Sequence, residues 1–481
     1  MRRHTAALLT AAPLMIAVLR APANAQASPQ MWRSDTPVFT DALPVAEFVA
    51  RRASIMAHIG DGVAVLQGAA EKTGEQPFRQ SNVFFYLTGV EVPRAIVVID
   101  GRAKTSKLYL QDMSSRLNMY GPLLNPNADA ARITGMDAVF VRDSFAAAVA
   151  GFQRDHRVVY TPFRSEVLLS TGSAEANGFW RATKNDPWDG RVSREDAFIA
   201  KLRTVAPDIE VRPLDAIVDS MRAIKTPREI ALLREATRLA GLGIIEAMRD
   251  ARPGLHEYEI QADAEYVFKK GGAQGAAYFP LIATGTNTRY THYYKNMSVL
   301  QDGDLVQFDY APDYKYYVSD VTRVFPANGR FDARQREFYT IYLRLYQALM
   351  TSIKPYTAPR DIIRTAVVKM DSIMASFRFT DARIEAAARQ FVERYRNNRG
   401  NSLGHSIGIE VHDVGLMSET LQPGHIFTIE PQMTITEEHL GIRLEDVILI
   451  TPTGYENLSG FVPLEIADIE KLMKQKGLSD R

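Results

Sequence analysis

The stretch QFDYAPDYKYYVSDVTRVF, Gln307 to Phe325, constrains this chain more than any other. It sets Asp309 and Asp320 eleven residues apart, each in an apolar or β-prone run, with Pro312-Asp313 between them where a chain can turn back. Read as strand, turn and strand, it brings two carboxylates toward each other. Two half-buried acids that close repel, and one must keep a proton unless a cation lies between them. The stretch alone also fits an amphipathic hairpin whose acids face water, so other segments have to decide.

A chain of 481 residues, 46% hydrophobic and 23% charged, has apolar material for two or three domains. Its formal charge of +1 gives no electrostatic basis for binding nucleic acid or a charged membrane surface. Without cysteine it forms no disulfide, and any metal site must be built from oxygen and imidazole. Residues 1–27 read as a signal peptide: Arg2 and Arg3, an apolar run from Thr5 to Leu19, then Ala-Asn-Ala and Ala-Gln-Ala ending at Ala25 and Ala27. The run is short for a membrane span, with Pro13 inside it and Arg20 ending it. Cleavage there predicts an exported product, periplasmic or secreted, with no membrane span; a retained anchor is the alternative. Residues 28–44 read as a linker.

Val45–Ile59 reads as a helix. Gly62–Gln67, Val83–Leu87, Ala95–Asp100, Leu108–Leu110 and Val158–Tyr160 read as strands, alternating with helical patterns such as Ser193–Val205. This predicts an α/β domain with a covered sheet over 45–215. Trp180–Arg194 reads as a turn-rich surface excursion. Beyond a boundary near Ala216–Arg222, residues 216–481 predict an α+β domain. Its helices are expected at Pro227–Ala247, Glu257–Lys270, Ala333–Ile353 and Pro359–Phe377, with strands around Asp309, Asp320, His405, Glu430 and Glu445.

Four more segments join the opening one. GHSIGIEVHD sets His405 between glycines, where backbone can approach closely, and His412 seven residues on. IFTIEP puts Glu430 at the end of a β-branched run stopped by Pro431. In GIRLEDVILI, Arg443 and Glu445 are two apart and share a strand face. His292 follows a Thr284–Asn287 turn in a Tyr-rich, strand-like run. Acids at the ends of apolar strands are costly unless paired, and four of them would be balanced by two divalent cations, with His405 completing the set. Carboxylates favour hard ions: Mn²⁺ is the first candidate, with Co²⁺, Zn²⁺ and Fe²⁺ admissible beside an imidazole. Two cations so placed are machinery for hydrolysis. His292 and His412 also fit hydrogen-bonded core histidines, and Arg443 also fits a salt bridge to Asp446 or another neighbour.

The spacing of Asp309 and Asp320 with DVTR following, GHSIGIEVHD, the TIEP acid and the GIRLED strand together resemble the pita-bread metallopeptidases, the family of aminopeptidase P, prolidase and methionine aminopeptidase. The resemblance implies that Asp309 holds one ion and His405 and Glu430 the other, with Asp320 and Glu445 bridging. It makes Glu430 the general base, His292 and His412 donors to the substrate carbonyl, and Arg443 an orienter of carboxylates. Pro77–Gly89 is similar to the FRQ…FYLTG run of the N-terminal domain of aminopeptidase P and bacterial prolidase, a domain that methionine aminopeptidases lack, and Met221–Glu229 to their interdomain join. One position departs: Asn401 stands where these enzymes usually carry a histidine. The implied activity is removal of an N-terminal residue before proline, with peptides as partners and a homo-oligomeric assembly. Prolidase activity on Xaa-Pro dipeptides, and a non-catalytic peptide-binding protein on the same fold, are the alternatives.

Overall fold

The structure, a computed structural model, describes residues 40–72, 76–112, 124–167, 172–397, 403–415 and 420–480. The expected signal peptide, most of the expected linker, and Asn401 lie outside the described residues.

The first domain is built on a six-stranded mixed sheet. Its strands are β1 (Val63–Gln67), β2 (Ile96–Asp100), β3 (Thr105–Leu110), β4 (Ala138–Val141), β5 (Val159–Thr161) and β6 (Val211–Pro213), in the order β4-β3-β2-β1-β5-β6. Strand alternation divides its apolar side chains between two cores: Ala64, Leu66, Val97, Ile99 and Leu108 face one, and Val63, Val65, Ile96, Val98 and Tyr109 the other. Both faces being covered, the strands read as unbroken apolar runs. Around the sheet lie α1 (Val45–Ile59), α2 (Asn82–Thr88), α3 (Ala128–Thr134), α4 (Phe145–Arg154), α5 (Ser173–Asn185) and α6 (Arg194–Val205).

Two sequence expectations fail here. Val83–Leu87 is not a strand but the body of α2, closed by Gly89 in the left-handed conformation with its N–H on Phe85 O. Phe84 to Thr88 are all buried, so the helix shows no polar face and its apolar run is indistinguishable from a buried strand. The surface excursion expected from Trp180 starts later, because α5 continues to Asn185; the turns that follow expose Trp188.

The helix α7 (Asp215–Ala223) leads to α8 (Pro227–Asp250), which opens on a full capping box. Glu229 N–H donates to Thr226 Oγ1 and Thr226 N–H to Glu229 Oε2 at 2.9 Å, with Pro227 at the first position. After α9 (Glu257–Lys270) come five short strands: β7 (Gly275–Ala276), β8 (Leu281–Thr284), β9 (Leu305–Asp309), β10 (Pro312–Tyr314) and β11 (Tyr317–Val318). Next are β12 (Thr322–Pro326), helices α10 (Ala333–Met350), α11 (Pro359–Ser376) and α12 (Ala382–Arg396), and strands β13 (Ile426–Ile429), β14 (Gln432–Ile435), β15 (Leu440–Arg443), β16 (Asp446–Ile450) and β17 (Tyr455–Asn457). The helices cover the antiparallel strands, giving the α+β architecture expected. Among the described residues no helix is long and apolar enough to cross a membrane.

The Asp309–Asp320 stretch does fold back on itself, though not at Pro312-Asp313. Those residues lie in β10, and the reversal is at Lys315-Tyr316, both with positive φ, 52° and 74°. The β9 and β12 arms still pair antiparallel, Thr322 opposite Asp309. The small β10–β11 hairpin between them is pinned to the first domain. Arg79 Nε donates to Asp313 Oδ2 at 2.6 Å, Gln80 N–H donates to the Tyr316 hydroxyl at 2.9 Å, and the Tyr316 ring stacks on Phe85 at 3.5 Å. The FRQ and FYLTG residues are therefore docking elements for the second domain.

Candidate metal centre and active site

The acids are delivered by strand ends. Asp309 closes β9, and Asp320 lies two residues before β12. Ile429 pairs with Asp446 across β13 and β16, and Gln432 pairs with Arg443 across β14 and β15. The break in each long strand thus falls at one level, with Glu430-Pro431 opposite Leu444-Glu445. Glu445 N–H donates to Thr322 O at 3.0 Å, which ties this pair to β12. His405 is not in a strand, contrary to expectation; its segment makes isolated bridges at Ser406, and Thr428 N–H donates to His405 O at 2.9 Å. A Cβ on Gly404 would run into the Thr428 carbonyl, so the glycine is what lets His405 reach the strand end.

Four acids and one imidazole converge. His405 Nε2 lies 3.0 Å from Glu430 Oε1, 3.5 Å from Asp320 Oδ2 and 3.9 Å from Glu445 Oε1. His405 Nδ1 faces Ser406 O at 3.2 Å, so its proton belongs there and Nε2 is aimed at the acids. Asp309 joins through a residue the sequence did not announce: the Tyr278 hydroxyl is 2.5 Å from Asp309 Oδ1 and 2.7 Å from Asp320 Oδ1. One phenol proton cannot serve both carboxylates. Arg443 ion-pairs with Asp309 and reaches Glu430 Oε2 at 3.9 Å, not Asp446. Asp446 instead pairs with the fully buried Arg323 at 2.7 Å.

The protonation pattern follows. Burial holds the Glu445 carboxyl well above the usual range, reinforced by Asp320, Glu430 and Asp309. Burial likewise pushes Asp309 up to about 7, against the pull of Arg443. For Asp320 and Glu430 burial acts in the same direction, but hydrogen bonds from His405 outweigh it and hold both low. Burial would discharge His405, yet its bonds to Asp320 and Glu430 hold its pKa well above the ordinary value. The cluster thus carries protons where it lacks positive charge.

The donor set fits divalent cations. Asp320, His405 and Glu445 each offer a ligand atom within 4.8 Å of the others. Glu445 Oε1 is buried with no hydrogen-bond partner among the described residues, an expensive arrangement unless something positive meets it. His412 places its ring centroid 4.4 Å from that of His405. His292 sits at the solvent-facing margin in an irregular segment rather than a strand, and partial burial, then the charges of Arg443 and His412, lower its pKa. Tyr316 and Tyr317 are buried, while Tyr294 is 64% exposed.

Residues 231–452 match metallopeptidase family M24, and residues 48–160 match the aminopeptidase P N-terminal domain. The Xaa-Pro aminopeptidase of Escherichia coli K12 is 29% identical over 449 residues, 89% of this chain and 97% of that protein. A Xaa-Pro dipeptidase of Pongo abelii is 26% identical across 92% of this chain and 96% of its own length. The solved aminopeptidase P from E. coli with the inhibitor Pro-Leu superposes with a TM-score of 0.70 at 27% identity, covering 90% of this chain and 98% of that one. The family brings a requirement for divalent metal ions, which this donor set can meet. The chain is a metallopeptidase of family M24, with an aminopeptidase P N-terminal domain ahead of its pita-bread catalytic domain.

Proposed function

We propose that this enzyme removes the residue preceding proline from the N-terminus of short peptides, after export to the periplasm or medium. The observation that carries the reading is the convergence of Asp309, Asp320, Glu430 and Glu445 on His405 with too little positive charge to balance them. These five residues would hold two divalent cations, Mn²⁺ foremost, with Co²⁺, Zn²⁺ or Fe²⁺ admissible. When bound, such ions supply Lewis acidity and a lowered pKa for water.

The chain's own groups do the rest. Glu430 accepts the proton of the attacking water, then returns it to the leaving nitrogen. His292 and His412 lie beside the acids and donate to the substrate carbonyl as negative charge develops on it. Arg443, held by Asp309, keeps that carboxylate in place. Relatives named Xaa-Pro aminopeptidase, over nine-tenths of the chain, support the proline preference; the signal-like residues 1–27 support export.

Purified protein given Mn²⁺ is expected to cleave Xaa-Pro-Xaa peptides and release the first residue. The Xaa-Pro dipeptidase relative keeps a second reading open, and cleavage of Xaa-Pro dipeptides alone would establish it instead. Export is checked by fractionating cells that express the full chain, and the expected homo-oligomer by light scattering. Export fails if the amino terminus remains intact in the cytoplasm.

A further inference from the structure

We infer that Glu175, a residue of the first domain, positions His412 and so makes that domain part of the catalytic machinery. The inference rests on the role given to His412 above. The start of α5 passes directly beside the histidine. Gly172 and His412 form an isolated parallel β-bridge, and a Cβ at 172 would lie 2.8 Å from His412 Cβ and 2.9 Å from its carbonyl oxygen. Only glycine permits this approach. Ser173 Oγ then donates to the buried Glu410 Oε2 at 2.9 Å, and Glu410 is itself paired with Arg222 at 3.0 Å. Glu175 follows one half-turn later, its Oε1 2.5 Å from His412 Nδ1.

Burial disfavours the Glu175 charge, but its own backbone N–H and His412 hold it below the usual carboxylate range. A carboxylate only accepts, so the Nδ1 proton belongs to this bond and Nε2 is the atom left for the cavity. The bond also fixes the ring's rotation, edge-on to His405 at 80°. With side chains 36% and 49% exposed, the pair could be an inconsequential surface bridge. The anchored start of α5 separates the two readings, because it brings Glu175 to the ring with its backbone already tied down at Gly172 and Ser173. The chain thereby supplies across domains what a carboxylate–histidine pair supplies within one.

The test is a double-mutant cycle read on a Xaa-Pro-Xaa peptide, with metal content and melting temperature measured for every variant. Glu175→Ala is expected to lower kcat about 10–100-fold, the range for losing a partner that orients a working histidine, with KM shifted less than about threefold. Glu175→Met, similar in length but without an acceptor, should match it even if Ala perturbs α5. Glu175→Gln keeps an acceptor and should recover to within about fivefold of the parent. In a His412→Ala background, Glu175→Ala should cost nothing further. Full additivity of the two losses, or parental kcat in both Glu175→Ala and Glu175→Met, overturns the inference.

If the parent enzyme cleaves no proline peptide, the function above fails while this positioning is still judged by NMR. In ¹⁵N-histidine-labelled, Zn²⁺-loaded protein, the Nδ1–H signal that disappears in His412→Ala should also be lost in Glu175→Met. An unchanged signal there refutes the inference.

Discussion

The seam between the two domains and the metal centre each bury four acids, and they balance them differently. In the seam, Glu229 faces Arg51 at 3.4 Å, Asp313 faces Arg79 at 2.6 Å, Glu410 faces Arg222 at 3.0 Å, and Asp413 pairs with Arg222 and with Lys225 at 3.1 Å. Four acids meet four cations. In the centre, four acids meet Arg443 and one imidazole. Adjacent residues show the contrast most sharply. Asp446 receives Arg323, the Ser459 hydroxyl and the Tyr346 hydroxyl at 2.6–2.7 Å, and is held low despite burial. Glu445 has the Thr322 hydroxyl on one oxygen and no hydrogen bond on the other among the described residues, and is held high. The protein can neutralise a buried acid fully when it uses it for cohesion. Where it withholds that neutralisation, the missing charge belongs to a ligand.

This contrast can be broken in three ways. The largest effect should come from Asp320→Ala, because Asp320 reaches both His405, at 3.5 Å, and, through Tyr278, Asp309. It should abolish binding of both ions and lower activity about 10³-fold or more. Asp309→Ala, at the Arg443 side, should retain part of the metal. Elemental analysis and kinetics check both, and full metal retention in the two variants would remove the site.

Arg222→Ala should do the opposite. It leaves the buried Glu410 without a cation and Asp413 with Lys225 alone, at a cost of about 3–5 kcal/mol in denaturant titrations, while folded molecules keep their metal. Loss of metal at unchanged stability would show that the seam and the centre are not separate systems.

The smallest effect belongs to a third acid pair, Asp263 beside Asp250. Burial, then the Asp250 charge, pushes Asp263 up to about 7. The folded form keeps a proton that the unfolded chain releases near pH 4, so this group's contribution is full below that pH and is lost as pH rises toward 7. Asp263→Asn should therefore match the parent at pH 4 and exceed it at pH 8, by about 1 kcal/mol once the roughly 4 kcal/mol of the full shift is reduced by solvent screening at this half-exposed site. Equal stability at both pH values would contradict the pairing.

Helix boundaries set by local chemistry were legible in the sequence: the Thr226-Pro227-x-Glu229 cap needs no tertiary information, and α1 and α9 carry clear periodicity. The centre was legible for a different reason. Asp309, Glu430 and Glu445 are acids at the edges of apolar strands, which is conspicuous because it is costly. Other features were not legible. Phe84–Leu87 is buried on every side, so its period was hidden. The helix α12 went unread, and the Lys315-Tyr316 turn has no glycine or asparagine to mark it. Tyr278 and Glu175 reach the site only through tertiary packing; nothing near them in sequence distinguishes them from an ordinary core tyrosine and an ordinary first-turn acid.

Tyr316 has one more consequence, which concerns the order of synthesis. Its ring belongs to the core of the first domain, stacked on Phe85 and covered by Arg79 at 4.5 Å, yet it lies about 100 residues beyond the last strand of that domain's sheet. A ribosome that has released the first domain has released it with an open socket. That socket can be filled only when the segment joining Asp309 to Asp320 arrives, so the step that fills it is also the step that brings the two aspartates together.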